Sequence, residues 1–169
     1  MIDTIKNHHI LKEFVAKSCC ENDITVTFDD SIANNSYVII KVDKFYNSQK
    51  LAMTPASIDC LIVRKCTNGG YGLTLVELKN IKKGRRINLK NTKEKFNTTL
   101  HDFIQIRFQT LFDLDYREIK LYFVSKYEIN RRDLGLKMEV LMNVQFRFKN
   151  KTLTIHPRMP NPTIKNCYT

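Results

Sequence analysis

Short runs of β-branched and aromatic residues, several of them alternating with polar residues, predict most of the strands in this chain. The runs are ITVTF (24–28), YVIIKVDKFY (37–46), SIDCLIVRK (57–65), GLTLVELKN (72–80) and IKLYFVSK (119–126). Between the third and fourth runs stands CTNGGYG, whose Asn-Gly pair is among the strongest signals for a β-hairpin. The stretches KMEVLMNVQFRFKN and KTLTIHP predict a second hairpin that turns near Asn150.

Apolar residues at helical spacing predict two helices. The first covers residues 8–20, with its apolar stripe at Ile10, Leu11, Phe14 and Val15. The second runs from 93 to 112, with its stripe at Phe96, Leu100, Phe103, Ile104 and Leu111. The segment YEINRRDLG indicates a short helix or turn. The tail PRMPNPTIKNCYT, with three prolines, is predicted to be irregular and poorly ordered.

The order of these segments is helix, three or four strands, long helix and further strands, which indicates an α/β or α+β fold with a mixed sheet. A chain of 169 residues with 43% hydrophobic content suits one globular domain over 1–169. The apolar runs are too short to span a membrane, and the first residues lack the order of a secretory signal. We therefore expect a cytoplasmic protein.

The net charge of +11 is unevenly distributed along the chain. Residues 61–169 hold 22 of the 28 lysines and arginines, whereas acidic residues outnumber basic ones in residues 1–60. A positive excess on one part of a domain attracts polyanions, so the charge favours a nucleic-acid partner over a solvated basic surface. The five cysteines are odd in number and lack zinc-site spacings, so we expect free thiols.

The chemistry-bearing residues lie on the first predicted hairpin. Glu77 and Lys79 are two apart in one strand and so share a face. A three-residue loop would set Asp59 opposite Lys79, and a loop centred on Asn68 would set Asp59 opposite Glu77. A two-residue Asn68-Gly69 turn would instead send Asp59 to the other face.

Directly opposed side chains have Cβ atoms about 5 Å apart, close enough for two carboxylates to hold one divalent cation. Mg²⁺ prefers oxygen and takes one or two carboxylates with waters and substrate phosphate, and Mn²⁺ is the alternative. The backbone carbonyl of Leu78 could add a ligand, and Lys79 could orient the attacking water. The alternative interpretations are a solvated strand edge and a structural cluster of ion pairs.

These residues, together with Pro55 and the order of elements over residues 8–126, resemble the signature of the PD-(D/E)XK nuclease superfamily. The proline stands four residues before Asp59 rather than next to it. The resemblance implies a restriction-endonuclease-like α-β-β-β-α-β core, here followed by a C-terminal hairpin and tail (136–169). It also implies that Asp59 and Glu77 bind Mg²⁺ while Lys79 serves the hydrolytic water.

The resemblance suggests supporting residues as well. A further carboxylate from the first helix would be Glu13, with Glu21 behind it, although Glu13 lies away from the apolar stripe. A basic or amide side chain from the long helix would be Lys95, with Thr98 and Gln105 as alternatives. A basic run after the catalytic strand predicts a phosphate track at Lys82, Lys83, Arg85, Arg86, Lys90, Lys93 and Lys95. Arg131 and Arg132 are candidates for a second contact.

The expected function is therefore Mg²⁺-dependent hydrolysis of phosphodiester bonds in nucleic acid, with DNA expected ahead of RNA. A restriction-type enzyme of this size would need to form a homodimer to cut both strands. Two alternatives stay open: a non-catalytic nucleic-acid-binding module on the same fold, and a subunit of a larger assembly. An intact set of two acids and a lysine favours the enzyme, because a pure binder gains nothing from acids that face phosphate.

Overall fold

The structure is a computed structural model that describes residues 1–21, 23–79, 88–125 and 131–167, with the side chains of 131–136 outside the description. Helical segments alternate with strands along the chain. The α-helices are α1 (Ile2–Lys6), α2 (Val42–Ser48), α3 (Leu89–Asn97), α4 (Gln109–Phe112) and α5 (Arg131–Met142). A 3-10 helix spans Leu11–Phe14, and a π-helical segment, Thr98–Arg107, joins α3 to α4.

The described residues form ten strands in two sheets. They are β1 (Val15–Ala16), β2 (Cys19–Glu21), β3 (Ile24–Phe28), β4 (Tyr37–Lys41), β5 (Cys60–Lys65), β6 (Tyr71–Lys79), β7 (Tyr116–Ser125), β8 (Gln145–Phe148), β9 (Lys151–Arg158) and β10 (Thr163–Ile164). The large sheet has the order β1-β4-β5-β6-β7-β9-β8, and the small sheet has the order β10-β3-β2.

The large sheet is mixed, which confirms the predicted mixed α/β class. Strands β4, β5 and β6 are antiparallel neighbours, whereas β6 with β7 and β7 with β9 are parallel. The connection from β6 to β7 contains the long helical segment, since parallel neighbours need a crossover rather than a tight turn. The sheet therefore changes from antiparallel to parallel at β6, the strand that carries Glu77 and Lys79.

The central strands are buried on both faces, as their continuous apolar runs predict. Leu73 and Leu75 of β6 pack in one core cluster with helical residues such as Phe103. Val76 and Leu78 point the other way and pack with Ile24 and its neighbours from the small sheet. Odd-numbered residues of β6 therefore face the helical layer, and even-numbered ones face the small sheet.

The predicted long helix over 93–112 is confirmed as a nearly continuous helical segment, Leu89 to Phe112, that widens to π geometry in its middle. The N–H of Phe108 donates to the carbonyl of Phe103 at 3.1 Å, five residues back. This wider turn accompanies close ring packing, since the Phe103 and Phe108 centroids lie 4.8 Å apart.

The predicted helix over 8–20 is wrong. The apolar residues Leu11 and Phe14 do form a helical turn, but it is a short 3-10 helix. Val15 then pairs with Ile40 in the large sheet, and Cys19 pairs with Val26 in the small sheet. Strand pairing with distant segments therefore overrides the local helical spacing.

The predicted strand over 37–46 is correct only as far as Lys41, after which the chain forms α2. Val42, Phe45 and Tyr46 stand at i, i+3 and i+4 and are all buried in that helix. The Phe45 ring meets Phe103 edge to face at 5.2 Å. The aromatic pair therefore serves a helix–helix contact rather than a strand.

The predicted C-terminal hairpin is confirmed, because β8 and β9 pair antiparallel on either side of Lys149 and Asn150. These two turn residues have φ values of 46° and 60°, the left-handed pair that suits a tight hairpin. The first half of the predicted hairpin is helix instead, since α5 extends to Met142.

The predictions of an irregular tail and of free thiols are both wrong. Strand β10 in the tail pairs parallel with β3, and Cys167 forms a disulfide with Cys66. A second disulfide joins Cys19 to Cys60, which leaves Cys20 as an exposed free thiol. These bonds join segments far apart in sequence, so spacing rules for local cysteine motifs do not reveal them.

Among the described residues, none of the helices combines the length and the apolar character needed to cross a bilayer. The cytoplasmic location stays a prediction. Disulfides are more common in oxidising compartments than in the cytosol.

Candidate functional site

The pairing of β5 with β6 decides between the registers that the sequence left open. Cys60 lies opposite Val76, so the next position along the ladder sets Asp59 opposite Glu77. This is the register of a loop centred on Asn68. Gly69 and Gly70 have φ values of 82° and 77° in that loop, a conformation that favours glycine. The two acids therefore meet at one end of the hairpin, Asp59 directly before β5 and Glu77 near the end of β6.

Both carboxylates are buried. Asp59 is 8% exposed and Glu77 is 2% exposed. The backbone N–H of Leu78 donates to Asp59 Oδ2 at 2.6 Å, which holds the aspartate against the end of β6. Lys95 Nζ donates to Glu77 Oε1 at 2.7 Å, whereas Glu77 Oε2 is buried with no hydrogen-bond partner in the described part of the chain.

The burial of two neighbouring acids changes their proton affinity. Burial raises the pKa of Asp59 to about 6, against the lowering effect of the Leu78 hydrogen bond and of the charge on Lys95. Burial and the negative charge of Asp59 raise the pKa of Glu77 to about 8, although Lys95 and Lys79 oppose the shift. One lysine contact is thus too little positive charge to balance the pair.

Lys79 lies at the end of β6 and is half-buried, on the same face as Glu77. Its charge acts on Glu77, where it lowers the carboxyl pKa. In the parallel pairing with β7, Lys79 lies beside Ser125. The Ser125 hydroxyl is buried and has no hydrogen-bond partner among the residues described. The structure thus brings together Asp59, Glu77 and Lys79, as the sequence predicts.

The long helix positions Lys95. Asn88 caps the N-terminus of α3 by accepting from the Asn91 N–H at 3.0 Å. One turn after Lys95, Thr99 donates to the Lys95 carbonyl at 2.9 Å and accepts from the N–H of Ile58 at 3.4 Å. Thr99 therefore ties the helix to the residue that precedes Asp59.

The alternatives to Lys95 have other surroundings. Thr98 is half-buried on the same helical segment, and Gln105 bonds His101 at 2.7 Å. Gln105 also lines a separate cleft with Asp113 and Lys149. Of the three predicted helper residues, Lys95 is the one for which the structure gives a contact with a site carboxylate.

A surface cleft of about 430 Å³ opens beside Asp59. Its lining includes Glu21, Lys41, Asp43 and Lys44. Glu21 and Asp43 both raise the pKa of Asp59 through their charge, so they lie close to it. Glu13, the first choice from the sequence for an extra carboxylate, is exposed on the 3-10 helix. The acid from the N-terminal segment that acts on the site is therefore Glu21.

The donor set fits Mg²⁺ in a minimal form. No group of three or more His, Cys, Asp and Glu side chains within the described ranges is arranged to hold a metal ion. Mg²⁺, however, commonly uses only one or two protein carboxylates and keeps several waters. A cation bound here would give Glu77 Oε2 a partner. Its charge would also lower the raised pKa values of Asp59 and Glu77.

Most of the predicted phosphate track cannot be placed. Lys82, Lys83, Arg85 and Arg86 lie outside the described residues, as do the side chains of Arg131 and Arg132. Lys90 and Lys93 are exposed on α3, the helix that carries Lys95. The part of the track that is described therefore lies on the helix beside the acids.

Three residues near the site were not predicted. Asp43 falls in the segment mistaken for strand, Thr99 lies in the predicted long helix, and Ser125 lies in the predicted strand over 119–126. The helical spacing between Lys95 and Thr99, one turn apart, is the signal that could have found Thr99. Nothing local marks Ser125, because its position depends on the pairing of β7 with β6.

Comparison with models of protein families, with curated proteins and with solved structures finds no match to this chain.

Proposed function

We propose that this protein is a metal-dependent nuclease that hydrolyses phosphodiester bonds in nucleic acid, with DNA as the expected substrate. The observation that carries the proposal is the pair of buried neighbouring carboxylates, Asp59 and Glu77, of which Glu77 Oε2 has no hydrogen-bond partner among the described residues. A buried like-charge pair is costly unless a partner balances it, and a divalent cation is the partner that best suits two carboxylates.

The arrangement of elements supports membership of the PD-(D/E)XK superfamily. Strands β4, β5 and β6 form an antiparallel series, a helical segment follows, and β7 returns parallel to β6. The first acid directly precedes the second strand of this series, and the Glu-Leu-Lys motif ends the third. This series agrees with the β-β-β-α-β part of the order that the resemblance implies, with α2 inserted between its first two strands, and no solved structure matches the chain.

Each residue of the site has a role in the proposed reaction. Asp59 and Glu77 bind the cation, with the Leu78 carbonyl as the third candidate ligand. When bound, Mg²⁺ supplies positive charge that polarises the phosphodiester. Lys79 orients the water that attacks phosphorus in line, and its charge stabilises the phosphorane as the opposite P–O bond breaks. Lys95 positions Glu77 through the 2.7 Å ion pair.

The test is cleavage of supercoiled plasmid, single-stranded DNA and RNA, each with Mg²⁺ or with EDTA. We expect cleavage that requires the metal and that falls at least about 100-fold in Lys79→Ala, since a positioned lysine in the transition state contributes on that order. The matched control is Lys65→Ala, which removes an exposed lysine from the far end of β5 and should cleave like the wild type.

A second readout does not depend on activity. Titration of Mn²⁺ by isothermal calorimetry should show binding to the wild type and at least tenfold weaker binding to Glu77→Gln. Retention of labelled DNA without cleavage under any condition would favour the binding module instead. Cleavage that survives EDTA, or that Lys79→Ala leaves unchanged, would exclude this site as its source.

A further inference from the structure

A basic cleft of about 650 Å³ lies on the face of the large sheet opposite the acid pair. Its floor is formed by Lys120 and Tyr122, which are even-numbered residues of β7. Phe123, the register partner of Glu77, faces the helical layer instead. The cleft is thus separated from the candidate catalytic site by the sheet itself.

The rim of the basic cleft is the tail between β9 and β10, and several bonds hold it in place. Asn161 Oδ1 accepts from the N–H of Thr25 at 2.9 Å, and the Pro162 carbonyl accepts from the N–H of Thr27 at 3.0 Å. Strand β10 pairs with β3 just beyond, and the Cys167 disulfide follows. The rim is therefore preorganised rather than shaped by a ligand.

Arg158 is the residue that points to a ligand. Its guanidinium lies 4.9 Å from the centre of the Tyr122 ring, which is buried and forms a fixed platform. Among the described residues no carboxylate forms a salt bridge with Arg158, and no acidic side chain lines the cleft. An arginine that lies over an aromatic ring and forms no salt bridge keeps its N–H groups available for a planar or tetrahedral anion.

Two lysines add positive charge to the same cleft as Arg158. Lys120 lines the floor and pairs with Glu118 at 2.6 Å. Lys165 is exposed on the rim, and its charge helps to lower the pKa of Asp29. Burial and the charges of Arg158 and Lys120 lower the pKa of nearby His156. The lining of the cleft thus holds three basic residues and no acidic one, and of these Arg158 has no salt bridge within the described part of the chain.

We propose that this cleft binds the phosphodiester backbone of a nucleic-acid strand, at a contact separate from the acid pair. The net charge of +11, concentrated after residue 60, favours a long polyanion over an isolated acidic group. Arginine and lysine together at a rigid cleft without acids are suited to phosphate oxygens. The proposal goes beyond the nuclease assignment and does not require it.

The test is binding of a fluorescein-labelled single-stranded 20-mer by anisotropy, in EDTA, over a range of KCl. The double variant Arg158→Gln/Lys165→Gln should raise Kd roughly tenfold and flatten the slope of log K against log salt by about 1.4, which corresponds to two lost phosphate contacts. Arg158→Lys should fall between this variant and the wild type.

The matched control is Lys12→Gln/Lys17→Gln, which removes two cations from another lysine-rich cleft that has no arginine. It should change Kd less than twofold. An equal loss in both double variants would show that overall charge, not the cleft, binds the strand. Unchanged DNA binding in Arg158→Gln/Lys165→Gln overturns the proposal. If that variant instead loses binding to poly-glutamate but not to DNA, the proposal is also overturned, because the cleft then binds an acidic polypeptide.

The outcomes separate the two proposals. Because Lys165 is exposed, Lys165→Glu alone tests the cleft if the arginine variant fails to fold. Weakened binding in the cleft variants, together with no metal-dependent cleavage by the wild type, would retain the cleft and remove the nuclease. Metal-dependent cleavage by the wild type, together with full DNA binding by the cleft variants, would support the nuclease and reject the proposed cleft contact.

Discussion

The two ends of the β5–β6 hairpin both bury charge, but they do so in opposite ways. At one end Arg64 is fully buried and forms an ion pair with Glu118. At the other end two acids, Asp59 and Glu77, lie opposite each other with Lys95 as the contacting cation. One hairpin therefore carries, at one end, an arginine matched by an acid of β7 and, at the other end, two neighbouring acids, separated by the apolar length of its strands.

The arginine end is nearly satisfied. Besides the pair with Glu118, Arg64 donates to the Thr74 hydroxyl at 2.7 Å, and its Nε is the guanidinium nitrogen left without a partner. It is packed tightly, because a Cβ added at Gly72 would lie 3.0 Å from Cys167 Sγ and 3.1 Å from Arg64 Cζ. Gly72 is thus required for the close approach of the arginine and the disulfide.

The comparison teaches how to distinguish a structural charge from a functional one. A buried ion pair in which each charge has an oppositely charged partner needs no further ion nearby. A buried pair of like charges remains costly until another cation arrives. The predictions below test this difference, and they run from the largest expected effect to the smallest.

Removing the covalent link at the arginine end should have the largest effect on stability. The Cys66–Cys167 bond joins residues 101 positions apart, and a loop of that length corresponds to about 4.7 kcal/mol of unfolding free energy. We expect Cys167→Ser to lose about this amount in urea denaturation without reductant. Cys20→Ser, at the exposed free thiol, should change stability by less than about 0.5 kcal/mol. More than one reactive thiol in the unfolded, unreduced wild type would contradict the two-disulfide structure.

Breaking the arginine pair itself should cost about 3 kcal/mol. Arg64→Met fills much of the space but loses both the ion pair with Glu118, which keeps Lys120 as a partner, and the hydrogen bond to the buried Thr74 hydroxyl. The measurement is the urea midpoint and slope, with Lys65→Met as the exposed neighbouring control. A loss below about 0.5 kcal/mol would mean that the arginine end is no better matched than the acid end.

Removing a charge at the acid end should raise the free energy of unfolding, whereas the two changes at the arginine end lower it. The folded-state pKa of Glu77, about 8, lies above the ordinary value of 4.5, so the folded protein holds the proton more tightly than the unfolded chain. The stability from that proton is fully present below pH 4.5 and is lost as pH rises through 8. We expect Glu77→Gln to be more stable than wild type at pH 9, by about 2 kcal/mol, and to gain less at pH 5.

The control for this pH series is Glu94→Gln, an exposed acid on α3. It should leave the slope of stability against pH unchanged. A Glu77→Gln variant with the same slope as the wild type would mean that the acid is ionised and already balanced at neutral pH.

Adding Mg²⁺ should stabilise the fold by a smaller amount than Glu77→Gln does at pH 9. Mg²⁺ at ten times its Kd should raise the unfolding free energy by about 1.4 kcal/mol, measured as a shift in melting temperature. Because Asp59 and Glu77 must lose protons to bind metal, the shift should grow from pH 6 to pH 8.5. Glu77→Gln should abolish the shift, whereas Arg64→Met should keep it.

The sequence predicts best what is determined locally. The strand alternation places Glu77 and Lys79 on one face. The mixed sheet follows from the order of the segments. These features depend on neighbours close in the chain, which a single sequence records. The register of Asp59, by contrast, stayed open and is decided by the pairing of β5 with β6. Lys95, which the resemblance suggested, contacts Glu77.

The features that were missed depend on distant partners. Residues 15–21 form strands because they pair with β4 and β3, although their own spacing is helical. The tail becomes ordered by pairing with β3 and by the bond from Cys167 to Cys66. Glu21 and Asp43 reach Asp59 only once those segments are folded. Such long-range pairings leave no periodic signal in the segments that make them.

The small sheet joins strands from the two halves of the chain, since Thr163 lies beside Thr27 and bonds its hydroxyl at 3.0 Å. Contacts between residues so far apart in sequence close only after much of the intervening chain has been ordered, because a long loop loses entropy before the contact repays it. We therefore expect the basic cleft, whose rim adjoins this sheet, to acquire its shape late in folding, after the hairpin that carries the acids.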